Sequence, residues 1–231
     1  MSDGTAGCAE HLRRLEGVHV LADDDPRWPH DPVSQARAAC AGGAAVVQLR
    51  AKHATDRQAL AWAEPIRRAT RARGALFLVN DRFDLALLAE ADGVHLGQDD
   101  LPPDRLPLAL RERLLVGRST HTVEQARRAR EEPVDYVAFG PLLGTASKQS
   151  PYEARGMAAL EEVAALVAPL PVVAIGGIDA DVAVRARRAG AAGVAVISAV
   201  AAAPDPEQAT RTLVRTWHSC ERGDGPAGRS A

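Results

Sequence analysis

Eight short, almost continuous apolar runs recur along the chain: VHVLAD near 18–23, AVVQLRA at 45–51, LFLVND at 76–81, GVHLG at 93–97, LVGRST at 115–120, YVAFG at 136–140, VVAIGG at 172–177 and GVAVISA at 193–199. Runs without strict polar alternation predict strands buried on both faces, the mark of a parallel sheet. Helical patterns lie between them. The clearest predicts a helix from Thr55 to Arg73, with Ala59, Trp62, Ala63, Ile66 and Ala69 as its apolar stripe and Thr55 with Gln58 as a candidate capping box. Thr122 with Gln125 repeats that start signal, and Asp179 opens a helix that Gly190 closes.

Strand, helix and strand at a spacing of roughly 20–30 residues make βαβ units with right-handed crossovers. Eight such strands predict α/β architecture in the form of a single closed (β/α)8 TIM barrel. An open doubly wound sheet is the runner-up, but it calls for a glycine-rich turn after the first strand, and VLADDDPRW has none. No linker divides the chain, so residues 12–220 read as one catalytic domain, with 1–11 and 221–231 as flexible tails.

Composition narrows the function classes. A hydrophobic share of 46% and a charged share of 25% over 231 residues fit a globular protein with a substantial core. The formal charge is −2 and no basic stripe forms, which argues against nucleic acid as a partner. No apolar leader or run of eighteen apolar residues is present, which argues against export and membrane insertion. Cys8, Cys40 and Cys220 are too dispersed for a zinc site or a disulfide framework, so a cytoplasmic setting is expected. Of 28 Lys plus Arg, only Lys52 and Lys148 are lysines, a bias that singles out both as compact, rotatable charges where arginine offers a planar fork.

In a barrel of this kind the active site lies at the carboxyl ends of the strands. The second run places Gln48, Arg50 and Lys52 at i, i+2 and i+4, one face of a strand, as a donor array suited to a phosphate-rich ligand. The third ends in Asn80-Asp81 and the fourth in Gln98-Asp99-Asp100. Carboxylates at adjacent strand ends beside cations suggest Mg²⁺ shared with a diphosphate, although a lone aspartate there more simply caps a turn. His95 reads as a packed, hydrogen-bonded core residue. Ser119, Thr120 and His121 end the fifth run as caps or substrate contacts, and no Ser/His/Asp arrangement supports a nucleophile. Thr145, Ser147 and Lys148 follow the sixth run in a loop suited to phosphate capture. Gly176-Gly177 and Ser198 end the seventh and eighth, where this fold often binds a phosphate, unless the glycines serve only a tight turn. Two phosphorylated substrates are implied.

The segments VVQLRAK, VNDRFDLAL, ADGVHLGQDD, GRSTHT, YVAFGPLLGTASK, AIGGI and GVAVISA, in this order, resemble the thiamine phosphate synthase family across residues 18–200. The resemblance implies a transferase that joins 4-amino-5-hydroxymethyl-2-methylpyrimidine diphosphate to 4-methyl-5-(2-phosphoethyl)thiazole, releasing diphosphate and forming thiamine phosphate. Carried across by motif, Gln48, Leu49, Arg50, Ala51, Lys52, Asn80, Ser119 and Lys148 would bind the pyrimidine diphosphate, with Arg50, Lys52, Ser119 and Lys148 in catalysis. Asp81 and Asp100 would hold one Mg²⁺. Thr145, Ala146, Ser147, Gly177, Ile197 and Ser198 would hold the thiazole phosphate.

The chain departs from the family pattern at Ser147, where threonine is common, at Leu143-Gly144, and at Arg118, whose position is usually apolar and which alternation turns towards the helix layer. Two rivals stay in view. One is a thiazole tautomerase on the same barrel, with His121 as its acid or base; the other is a phosphate-binding barrel without turnover. The diphosphate and metal residues argue for the synthase. Assembly into a homo-oligomer is compatible with any of these.

Overall fold

The computed structural model describes residues 13–144 and 152–220. Eight parallel strands close into a barrel in sequence order: β1 Gly17–Asp23, β2 Val46–Arg50, β3 Leu76–Asn80, β4 Gly93–Leu96, β5 Leu115–Thr120, β6 Tyr136–Phe139, β7 Val172–Ile175 and β8 Gly193–Val196. Closure is made by β1 against β8, with Gly17 beside Gly193 and Val20 beside Val196. All eight predicted strands are present, and most end one or two residues early. Gly176, Gly177 and Ser198 therefore stand beyond the strands, and Asp81 leaves β3 through a left-handed φ of 64°.

The helices that cover the barrel are α1 Pro32–Gly42, α2 Asp56–Arg73, α3 Phe83–Leu88, α4 Leu108–Arg111, α5 Val123–Ala129, α6 Gly156–Val167, α7 Ala180–Arg188, the short α8 Ser198–Ala201 and α9 Pro206–Ser219. The sequence signals act as caps. Thr55 and Asp179 accept from the Gln58 and Val182 amides, which lack helical partners at the first turn. Thr122 accepts from the Gln125 amide, but the Gln125 side chain bonds the His121 amide instead of completing the box. Ala59, Ala63 and Ile66 bury the predicted stripe of α2, with Trp62 and Ala69 partly covered.

Alternation along the strands builds two cores. Val47, Leu49, Phe77, Val79, Val94 and Val137 face outward, where the helices pack on them. Val46, Leu76, Leu78, Tyr136, Val173 and Ala195 fill the barrel interior. Burial on both faces explains why the strands read as continuous apolar runs. Tyr136 fits inside because position 117 is glycine: a Cβ there would stand 2.2 Å from the Tyr136 ring. Among the described residues, no helix is long and apolar enough to cross a membrane. Cys40 and Cys220 are both buried.

Candidate active site

Because Val46 faces inward, period-2 alternation turns Gln48 and Arg50 to the same interior. Gln48 is 4% exposed, and among the described residues its Oε1 has no hydrogen-bond partner. It lines a cavity at the carboxyl end of the barrel together with His19, His95, Ser119, Tyr136 and Ile175. The space between these side chains, with the open mouth included, is about 630 Å³. Leu49 faces the other way, into the helix-side core, so any contact it makes with a ligand runs through its backbone.

Both cations of β2 and its following loop meet carboxylates. The Arg50 guanidinium pairs with Asp23 at the end of β1, and the Lys52 ammonium pairs with Asp81 at the end of β3. Asp24 organises the loop between them, accepting from the amides of Lys52 at 2.8 Å, His53 at 2.9 Å and Ala54 at 2.7 Å. Neither Asp23 nor Asp24 figured among the sequence candidates. The acidic triplet that ends the first run was a signal of the same kind as those ending the third and fourth.

Asp100 accepts from the Gly97 amide at 2.6 Å, so it does cap a turn, and it also faces Asp81. Burial first, then the neighbouring Asp81 carboxylate, push its carboxyl above the usual range, against the pull of the Gly97 N–H. Asp99 is exposed. Among the described residues, no three His, Cys, Asp or Glu side chains converge on a metal position. The Asp81–Asp100 pair suits Mg²⁺, which takes one or two carboxylates and completes its shell with water and phosphate oxygens. Two like charges brought together beside Lys52 are a site that a cation relieves.

His95 is hydrogen-bonded and buried as the sequence suggests, yet it belongs to the cavity wall. One ring nitrogen, Nδ1, lies 2.8 Å from the Tyr136 hydroxyl and the other, Nε2, 2.8 Å from Ser119 Oγ. Burial keeps the Tyr136 phenol protonated by raising its pKa. Sequence gave no sign of this chain of contacts, since Tyr136 sits in an otherwise apolar strand. Asn80 is 8% exposed at the end of β3. His121 lines the cavity mouth, with Nδ1 2.6 Å from the Gly140 carbonyl oxygen and its ring stacked on Tyr152 at 4.0 Å.

On the far side of the mouth, Gly176 and Gly177 have φ of 99° and 68°. A Cβ on Gly176 would lie 2.6 Å from Pro141 Cβ, and one on Gly177 2.7 Å from Leu143 Cβ. The glycines therefore let the loop after β6 cross the end of β7, whatever else they bind. Ile197 lies between β8 and the short helix opened by Ser198. Thr145, Ala146, Ser147 and Lys148 lie outside the described residues. Ala51 lies in the loop after β2, beside the row it was assigned to.

A family model described as thiamine monophosphate synthase matches residues 18–200. The chain belongs to that family. Within it, a thiamine-phosphate synthase of Anaeromyxobacter dehalogenans (strain 2CP-C) is 52% identical over 202 residues, covering 87% of each protein. One from Chlorobium phaeovibrioides is 48% identical over 184 residues, covering 80% of this chain and 88% of the relative. Among solved structures, thiamine phosphate pyrophosphorylase from Pyrococcus furiosus superimposes with a TM-score of 0.80 at 33% identity, covering 90% of this chain and 98% of that one. Family membership makes the chain an enzyme, a transferase of thiamine biosynthesis. The barrel, the order of its strands and the placement of polar residues at their carboxyl ends all accord with that assignment.

Proposed function

We propose that the chain condenses 4-amino-5-hydroxymethyl-2-methylpyrimidine diphosphate with 4-methyl-5-(2-phosphoethyl)thiazole to give thiamine phosphate and diphosphate. The observation that supports this reading is the polar cluster at the carboxyl ends of neighbouring strands: Gln48 and Ser119 on the wall of one cavity, Arg50 paired with Asp23, and Lys52 paired with Asp81, which faces Asp100. Arg50, Lys52 and Lys148 hold the diphosphate. Gln48 Oε1, buried and without a partner among the described residues, accepts from the ring amino group. The C–O bond to diphosphate breaks with both electrons leaving on oxygen, and the cation left on the pyrimidinyl methylene takes the lone pair of the thiazole nitrogen to form the new C–N bond. No protein nucleophile is needed. Catalysis comes from holding the two substrates in line and from fixed charge around the leaving group. Mg²⁺ held by Asp81 and Asp100 supplies further neutralisation of that group when bound. The segment Thr145–Ser147, with Gly177, Ile197 and Ser198, takes the thiazole phosphate.

The test is an assay of the purified chain with both substrates and Mg²⁺, with an EDTA control, reading thiamine phosphate. Metal-dependent product is expected. Absence of product from folded protein overturns the proposal; a proton shift on the thiazole alone then marks a tautomerase, and binding of both substrates without turnover marks a binding barrel.

A further inference from the structure

Arg118 stands out among the buried side chains. It sits on β5 with its side chain turned outward, only 6% exposed, beside a core layer of apolar residues. Its terminal nitrogen donates to the Gly97 carbonyl, and its Nε lies 3.1 Å from Glu132 Oε2, an ion pair by charge and distance, without hydrogen-bond alignment, contributed from beyond α5. A buried ion pair of this kind is weak evidence for stability, because the cost of desolvation rivals the attraction. Its use therefore lies in what it holds.

What it holds is the turn that presents Asp100. Leu96 and Arg118 are neighbours across the β4–β5 ladder, so the guanidinium reaches the first carbonyl after β4. The same residue, Gly97, donates its N–H to Asp100 Oδ2 at 2.6 Å. One residue further, the Gln98 side chain donates to the Ser119 carbonyl at 2.5 Å. Arg118 and Ser119 thus tie two consecutive residues of the turn, Gly97 and Gln98, to β5, and the Asp100 carboxylate accepts from the first of them.

We propose that Arg118, braced by Glu132, is a positioning residue that sets the Asp100 carboxylate for divalent cation binding through the Gly97 peptide groups. This rests on the assignment of Asp81 and Asp100 to Mg²⁺. Groups that orient a metal-binding carboxylate from behind govern affinity, and their loss costs about tenfold or more.

The experiment titrates Mn²⁺ into the full chain in the presence of inorganic diphosphate and reads free Mn²⁺ by its electron paramagnetic resonance signal, alongside circular dichroism melts. Wild type, D100N, R118M and E132Q are compared. Binding weakened by D100N and weakened about tenfold by R118M, with the melt of R118M still cooperative, is the expected result. Binding weakened by D100N but equal in R118M and wild type overturns the positioning role while leaving the metal assignment intact. Binding indifferent to D100N overturns the metal assignment and the inference together. If R118M does not fold, E132Q decides: weaker Mn²⁺ binding supports the bracing of Arg118, and unchanged binding overturns it.

Discussion

The Asp23 carboxylate holds the Arg50 guanidinium across the first pair of strands, where the two residues are direct neighbours in the β1–β2 ladder. Asp23 is 2% exposed, and its other oxygen accepts from the Trp28 indole at 2.9 Å and from the Asp25 amide at 3.0 Å. The carboxylate is thus fixed from one side and can orient the arginine on the other. Asp23→Asn leaves a largely buried guanidinium without its countercharge, which should destabilise the fold by about 3–5 kcal/mol. It should also raise KM for the pyrimidine diphosphate more than KM for the thiazole phosphate. Thermal melts and steady-state kinetics check both. Equal changes in the two KM values would reduce Asp23 to a purely structural residue.

Asp81→Asn should abolish Mg²⁺-dependent turnover. Asparagine tolerates the left-handed backbone of position 81 about as well as aspartate, so the loop should keep its shape while losing its charge. Losing one group that stabilises the departing charge typically costs on the order of 10²–10³ in rate. Turnover with and without EDTA is the measurement, and full metal-dependent activity in the variant would remove Asp81 from the site.

Tyr136→Phe should separate orientation from contact. The hydroxyl meets His95 at Nδ1, and His95 meets Ser119 at Nε2, so Tyr136 acts on Ser119 at one remove. Removing the hydroxyl should cost about 1 kcal/mol of stability. The fall in kcat should be smaller than that of Ser119→Ala. A larger fall in Tyr136→Phe than in Ser119→Ala would mean that the tyrosine itself meets the substrate.

The barrel was legible because both-face burial writes each strand as an apolar run and the caps at Thr55, Thr122 and Asp179 mark helix starts. Gln48 and Arg50 were legible for a related reason: period-2 spacing survives folding, and closure of the barrel decides which way they face, whereas Lys52 lies past the end of β2, in the loop and not on the strand face. Partnerships were not legible. Arg50 with Asp23, Lys52 with Asp81 and His95 with Tyr136 join different strands, and strand register is fixed only by assembly of the whole barrel. Arg118 could be turned towards the helix layer by alternation, but its hold on Gly97 needed the β4–β5 register.

His19 gives the fold a pH dependence of its own. It lies inside the barrel, 2% exposed, with Nε2 2.7 Å from the Leu15 carbonyl and its ring edge-on to Tyr136. Burial drives its pKa down from 6.5 to about 4, only partly offset by the Leu15 carbonyl. The unfolded chain therefore binds the proton more readily than the folded one at pH values between these two, and acid favours unfolding there. The stability tied to neutral His19 is complete above pH 6.5 and is lost as pH falls to about 4, a loss of about 3 kcal/mol from this group. His19→Gln can keep a donor towards Leu15 while removing the titration. Its stability should fall less steeply than that of wild type between pH 7 and pH 4, measured by urea unfolding at a series of pH values. Parallel curves for the two proteins would show that His19 binds its proton equally well in the folded and unfolded states, and would shift the acid sensitivity to other groups.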